Sequence, residues 1–217
     1  MKNIVVLGAS GHAKVVIDII EKDNRFRIAG IVDPLLPKKS MFMGYPVIGH
    51  DDDLPRIVEN FQIYGAIVAI GDNSLRQRIA RKVSHSVPHL SFVTAIHPRA
   101  TIGTQVTIGP GTVVMAGAVI NSDAKVGSFC IVNSMSLLEH DSCLGNFASL
   151  APRASTGGNC DIGEMATVGM GAVVLQGLSI GTNTIVGASA MVNKDLPANV
   201  TAYGLPARII RHQQPHD

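Results

Sequence analysis

The chain has 217 residues, 46% of them hydrophobic, with a formal net charge of +2, three cysteines and no tryptophan. That length and apolar content suffice for one or two domains with real cores. The near-neutral charge, without any Lys/Arg cluster, argues against a nucleic-acid-binding surface, and the opening Met1–Ser10 run is too short for a membrane span and lacks a signal-peptide cleavage pattern.

Residues 3 to 7 (Asn-Ile-Val-Val-Leu) read as a buried parallel strand. Gly8-Ala9-Ser10-Gly11-His12 follows, and then a helix with apolar positions Val15, Val16, Ile19 and Ile20. A strand, a glycine turn and a helix start together present backbone N–H groups to an anion such as phosphate. The spacing is not G-x-G-x-x-G, so a nicotinamide dinucleotide is not expected. A second strand spans Ile28 to Val32 and ends at Asp33-Pro34. Asp33 is placed either to accept hydrogen bonds from a nucleoside or to cap a turn before proline, and the local sequence favours neither.

Residues 34 to 60 carry Pro34, Pro37, Pro46 and Pro55 and read as loops with one short helix from about Asp53 to Asn60. Ala66–Ile70 is another buried strand, closed by Gly71-Asp72-Asn73. A helix follows from about Ser74 to Val83, with Arg76, Arg78, Arg81 and Lys82 on its solvated side. Residues 1–95 thus read as a small α/β domain with a Rossmann-like parallel sheet and ligand loops at the strand ends.

At Ile96 the pattern changes to a beat of six that runs to Val192. Every sixth residue is aliphatic except Thr156, and no insertion breaks the register. Two residues before each beat the side chain is mostly small, as at Ala118, Ala124, Cys130, Ser136 and Ser142, with Leu178 an exception. Glycine favours the residue after the beat, as at Gly103, Gly109, Gly127, Gly145 and Gly163. Neither a helix nor an alternating strand repeats at six, whereas a parallel β-helix of short strands, three to a coil, does. The large aliphatic residues would stack inward and the small ones fit near corners. The glycines are expected to supply the backbone conformations that corners demand. Cys130 and Cys160 fall on the small inward positions and read as packing residues of a reduced protein; with Cys143 they show no metal-ligand spacing, so no metal is expected. Residues 195–217 leave the repeat as a closing segment and tail.

Of eight histidines, His85 and His89 lie in a loop-like stretch before the repeats, His50 in a surface loop beside three aspartates, and His212 and His216 in a polar tail. His140 differs, because it falls two residues after the Leu138 beat, inside a hexad, with Asp141 directly following. The register points it outward. A His-Asp pair on a flat β-helix face has no packing purpose, and an imidazole that titrates near neutrality suits proton transfer. Outward apolar residues such as Met115, Met170 and Leu175 suggest contact with a neighbouring subunit. With no long loop in the repeat, a site there must draw on flat coil faces, a neighbouring subunit and the N-terminal domain.

Four segments occur in order: Gly-Ala-Ser-Gly-His at 8–12, Ala-Ile-Gly-Asp-Asn at 69–73, Ile-His-Pro at 96–98 and Glu-His-Asp at 139–141. With the hexad array they resemble the hexapeptide-repeat acetyltransferases, in the branch of nucleotide-sugar 4-amino N-acetyltransferases (bacillosamine and perosamine type) and sialic-acid O-acetyltransferases. The resemblance implies a left-handed parallel β-helix over 96–194, a homotrimer, and acetyl-CoA in a groove between two subunits; the cytoplasmic expectation comes from the cysteine usage. It implies His140 as general base, with Asp141 raising its basicity where some relatives carry Glu. It places Asn133 near the acceptor amine, and Ser149, Gly158, Met170 and Ala188 against acetyl-CoA, with the Gly158 N–H donating to the oxyanion. Ser149 stands where some relatives have His. For the nucleotide sugar it implies Ser10, Gly11, His12, Asp33 and Gly71, His12 binding the diphosphate. His97 reads as structural, and Lys194 and Arg208 face either the phosphates of CoA or solvent. The expected reaction is acetyl transfer to the 4-amino group of a UDP-, GDP- or dTDP-linked 4-amino-4,6-dideoxy sugar. A sugar O-acetyltransferase and a non-catalytic nucleotide-sugar-binding β-helix are the alternatives.

Overall fold

The computed structural model describes residues 1–213, and the chain divides into two compact units, Met1–Pro98 and the remainder from Arg99 onward. His216 lies outside the described residues. The first unit contains β1 (Lys2–Leu7), α1 (Gly11–Asp23), β2 (Phe26–Val32), β3 (Met41–Phe42), β4 (Tyr45–Gly49), α2 (Leu54–Asn60), β5 (Gly65–Val68), α3 (Asn73–Ser86) and β6 (Ser91–Phe92). They build a sheet ordered β3-β4-β2-β1-β5-β6, parallel except for the β3–β4 pairing. Strands β1 and β5 read as unbroken apolar runs because both faces are covered, and Ile4, Val5, Val6, Ala66, Ile67 and Val68 are fully buried. The chain moves from β1 to β2 on one side and from β5 to β6 on the other. The loops after β1 and β5 therefore part at the strand ends, which is where such sheets bind ligands.

Several expectations change here. The stretch 34–60 is not only loop, since β4 pairs with β2 through Ile31 and Val47. Pro46 precedes that first pair, so its missing N–H removes no ladder bond to β2. Arg76 is not solvated but 1% exposed. Its guanidinium donates to the carbonyls of Ile70 and Gly71, both at 3.0 Å, and to Asn73 Oδ1 at 2.7 Å, which is how a buried charge is tolerated. His85 lies in the last turn of α3 rather than in a loop. On α1, Val15 faces outward and Ile17 takes the buried place.

In the second unit the beat folds as a left-handed parallel β-helix. Each beat ends a two-residue strand, and strands one coil apart pair in parallel, Val114 with Val132, Ile120 with Leu138, Val126 with Leu144. Three flat faces result. The first carries Val113–Val114, Ile131–Val132, Ser149–Leu150, Thr167–Val168 and Ile185–Val186; the second Val119–Ile120, Leu137–Leu138, Ser155–Thr156 and Val173–Val174; the third Lys125–Val126, Cys143–Leu144, Asp161–Ile162 and Ser179–Ile180. From Val114 to Val192 every beat is at most 4% exposed, and each buried aliphatic side chain contributes roughly 1.5–3 kcal/mol. Ile102, early in the stack, is paired on one side only and stays exposed.

The glycines after the beat have another cause than the one expected. Left-handed backbone falls two residues later, at Gln105, Asp123, Phe129, Met135, Asp141 and Phe147 among others. Gly103 and Gly181 are needed for close approach: a Cβ there would stand 2.5 and 2.3 Å from backbone nitrogens of the next coil. Met115, expected outward, is buried, while Met170 and Leu175 are exposed. The array closes with an antiparallel pair, Val200–Gly204 and Ala207–His212. No described helix is long and apolar enough to cross a membrane.

Candidate active site

His140 and Asp141 stand at the corner where the chain leaves the second face, between the Leu138 and Leu144 beats. Asp141 has φ 60°, and its Oδ2 lies 2.7 Å from His140 Nδ1. The shorter aspartate therefore does reach. A carboxylate only accepts, so Nδ1 carries the hydrogen and Nε2 keeps its lone pair. The two side chains are 61% and 59% exposed, so this is an oriented surface pair rather than a buried ion pair. The hydrogen bond to Asp141 is the main cause that holds the imidazole pKa above its ordinary value; desolvation opposes it, and the negative charges of Asp141 and then Glu139 add to the rise.

One coil further on, Gly158 lies against the ring. A Cβ built on Gly158 would sit 2.5 Å from His140 Cε1 and 2.6 Å from Nε2, so the imidazole occupies the space a side chain would take. The Gly158 carbonyl accepts from the Gly177 N–H at 2.9 Å, whereas the Gly158 N–H has no partner among the described residues. A free backbone donor beside the basic nitrogen is what a developing oxyanion requires.

The backbone of His140 is held from several sides. Glu139 Oε2 accepts from the His140 N–H at 3.1 Å and from Asn121 Nδ2 at 2.8 Å. Those two bonds, Asn121 first, hold the Glu139 carboxyl below its usual pKa. The Glu139 N–H donates to Thr156 Oγ1 at 3.1 Å, and the His140 carbonyl accepts from the Asn159 N–H at 2.9 Å. Asn121, Glu139 and Thr156 were not among the residues singled out from the sequence. Their signals were the Glu of Glu-His-Asp and the lone polar beat. A groove beside this corner is lined by Gln105, Asp123, Lys125, Asp141, Cys143 and Asn159.

One chain does not gather every expected contact. Asn133, Met170 and Ala188 follow the beats Val132, Val168 and Val186, at the corner that ends the first face, and Ser149 lies on that face. His140, Asp141 and Gly158 occupy the next corner. Asn133 Oδ1 accepts from the Ser134 N–H at 2.8 Å, Ser149 is buried, and Met170 and Ala188 are exposed. No group of three or more His, Cys, Asp or Glu among the described residues is arranged to hold a metal ion.

In the first unit, Ser10 is the N-cap of α1, Gly11 and His12 open that helix, and Gly71 lies on the loop after β5. Gly8, at φ 108°, lets the loop after β1 turn against the loop after β5, where a Cβ would be 3.2 Å from the Ala69 carbonyl oxygen. His12 packs beside Gly71, and its Nε2 is buried without a partner among the described residues. Burial, and then the Arg76 guanidinium, push the His12 pKa down to about 4, so at neutral pH the ring is uncharged and acts through hydrogen bonds. Asp33 Oδ1 accepts from the N–H groups of Leu35 and Leu36 at 2.8 and 3.2 Å, which is the turn-capping role. Asp33 also lines a cavity with Leu7, Ser10, Leu35, Ile70 and Leu75, so capping does not remove it from the crevice.

The model for the PglD N-terminal domain matches residues 3–83. The UDP-N-acetylbacillosamine N-acetyltransferase of Bacillus subtilis (strain 168) is 36% identical over 106 residues, 47% of this chain; the match spans about half of that relative's length, 46%. PerB from Caulobacter crescentus, solved in complex with CoA and GDP-perosamine, is similar along nearly its whole length: 40% identity, 96% of this chain and 97% of that one, TM-score 0.89. The chain belongs to the hexapeptide-repeat nucleotide-sugar 4-amino N-acetyltransferase family. The acetyltransferase domain of PglB from Neisseria gonorrhoeae FA1090, solved with acetyl coenzyme A, is similar at 31% identity, covering 96% of this chain and 99% of that one with a TM-score of 0.87. The family likeness thus extends over both units, well beyond the 3–83 match.

Proposed function

We propose that this chain transfers the acetyl group of acetyl-CoA to the 4-amino group of a nucleotide-linked 4-amino-4,6-dideoxy sugar. The supporting observation is the His140–Asp141 pair set against Gly158, in a chain of this family. His140 Nε2 takes a proton from the amine as its nitrogen attacks the thioester carbonyl. Asp141 accepts the Nδ1–H throughout and stabilises the imidazolium that forms. The Gly158 N–H donates to the oxyanion. As the C–S bond breaks, the imidazolium returns its proton to the leaving sulfur, and His140 is neutral again. Ser149, Met170 and Ala188 contact acetyl-CoA, and Asn133 lies near the acceptor amine.

Residues 1–95 form the nucleotide-sugar domain in this reading, residues 96–194 the acetyltransferase domain and 195–217 the closing segment. Ser10, Gly11, His12 and Gly71 cradle the diphosphate at the crevice, with Asp33 at its edge. Because Met170 and Ala188 stand at one corner, with Ser149 on the face before it, and His140, Asp141 and Gly158 at the next, a complete site takes two copies, and the working form is a cytoplasmic homotrimer. Sedimentation equilibrium would measure three chain masses; a monomer at micromolar concentration with full activity contradicts this. The decisive assay incubates the protein with acetyl-CoA and UDP-, GDP- or dTDP-linked 4-amino sugars and follows thiol release. Turnover confined to a sugar hydroxyl would establish O-acetylation instead. No turnover, with nucleotide-sugar affinity unchanged in His140→Ala, would leave a binding β-helix.

A further inference from the structure

The one polar member of the beat lies beneath the His140 corner. Thr156 is 3% exposed, in a register where every other beat is aliphatic. Elsewhere on this face, the N–H after a beat donates to the backbone carbonyl of the next coil's beat, Asn121 to Leu138 at 2.9 Å and Gly157 to Val174 at 2.8 Å. The Glu139 N–H instead meets the Thr156 hydroxyl at 3.1 Å. The strand ladder loosens at the same place. Ile120 pairs with Leu138 and Thr156 with Val174, yet between Leu137–Leu138 and Ser155–Thr156 only Leu137 and Ser155 pair. Just after Thr156 comes Gly157-Gly158, the second of which admits the imidazole. Glu139 therefore links two layers. Its N–H is anchored on a buried hydroxyl, while its carboxylate, steadied by Asn121, accepts the His140 N–H.

Packing does not account for the threonine. Thr112, Ser142 and Thr184 also bond to backbone from inside the coil, but they occupy the small position before the beat, where hydroxyls fit. At the beat itself, valine would fill the same volume and match its neighbours. We infer that Thr156 and Glu139 are positioning residues that hold His140 over Gly158, a role resting on the reading of His140 as the base. The hydroxyl draws the Glu139 N–H away from the regular ladder, and Glu139 then fixes the backbone from which the imidazole projects.

The test compares Thr156→Val, Thr156→Ser and Glu139→Gln, reading kcat, KM, thermal midpoint and the NMR titration of the His140 Cε1–H. The Val chain should melt within about 3 °C of the parent, since the regular carbonyl acceptor can take over the Glu139 N–H. Its kcat should fall about tenfold or more while KM for both substrates stays within about twofold. Thr156→Ser, which keeps the hydroxyl, should restore kcat to within about threefold of the parent. The charged groups facing the imidazole are Asp141 and Glu139, so Glu139→Gln should lower the His140 titration midpoint. Parental kcat in the Val chain, equal slowing in Ser and Val chains, or an unmoved titration in Glu139→Gln each overturns the proposal. Should the Val chain fail to fold, Thr156→Ala against Thr156→Ser makes the same comparison. A parent chain without turnover on any 4-amino sugar would sink the functional reading alone, because the titration needs no turnover and still decides the positioning role.

Discussion

Alanine at position 158 should disable catalysis while leaving the coil standing. Gly158 does not adopt the left-handed backbone, so the substitution strains no φ. The three atoms a Cβ would meet all belong to the His140 ring, at 2.5, 2.6 and 3.1 Å, where ordinary contact begins at 3.4 Å. The ring must therefore retreat by about 0.9 Å, the difference between 3.4 and 2.5 Å. The imidazole is exposed and can swing away, so stability should scarcely change. A misplaced base at that distance costs on the order of 10²-fold in kcat, about 2.7 kcal/mol of barrier. Gly157→Ala is the counterpart. Its Cβ would stand 2.6 Å from Gln176 N and 2.8 Å from Gln176 Cα, backbone atoms that cannot step aside. That variant should lose roughly 1–3 kcal/mol of stability through overpacking. Thiol release gives kcat and KM, and thermal melts give the midpoints. A Gly158→Ala chain within threefold of parental kcat, or one that melts as early as Gly157→Ala, would refute the reasoning.

Four further outcomes follow from the same geometry. Since the His140 pKa is raised and the base must be unprotonated, kcat/KM should climb with pH through an inflection above 6.5, and Asp141→Asn should move it down while lowering the plateau; initial rates across pH check this, and an inflection that stays put contradicts it. His12 titrates near 4 folded against 6.5 unfolded, so between those values the unfolded chain binds more protons; its contribution is complete above 6.5 and fades as pH falls towards 4, by up to about 3 kcal/mol, and His12→Gln should flatten that part of the denaturant-derived stability curve. Arg76→Met leaves the carbonyls of Ile70 and Gly71 without their donor and should cost about 2–4 kcal/mol by urea titration, whereas a loss below 0.5 would place Arg76 in solvent after all. Among UDP, GDP and dTDP, the cognate nucleotide at a hundredfold excess over its Kd should stabilise the parent by about 2.7 kcal/mol, and His12→Ala should lose much of that thermal shift.

The hexad register was legible without coordinates because it repeats one simple demand, an aliphatic side chain at nearly every beat. It also located His140 on the outside, since register alone decides direction. The glycines after the beat carried a true signal with the wrong cause: at Gly103, Gly145 and Gly163 an added Cβ would come within 2.5–2.6 Å of backbone in the next coil, and the left-handed residues lie two positions later, mostly at residues other than glycine. Strand β4 was hidden by its proline, and the burial of Arg76 by its charge. Both misreadings share a reason. Local propensity describes what a residue prefers alone, while Val47 is placed by Ile31 in β2, and Arg76 by the Ile70 and Gly71 carbonyls of the turn before its helix.

What the amino-acid order determined by itself is therefore periodic and local: the coil, the inward and outward sides, the glycine turn after β1 and the His-Asp pair as a candidate. What only the tertiary structure decided is contact across coils. Eighteen residues separate His140 from Gly158, and nothing in either hexad announces that the ring of one fills the space denied to the other. Likewise, Thr156 is a single exception in the register until the Glu139 N–H is seen to rest on its hydroxyl. Stacking converts sequence distance into van der Waals contact, and the chemistry at this corner depends on that conversion.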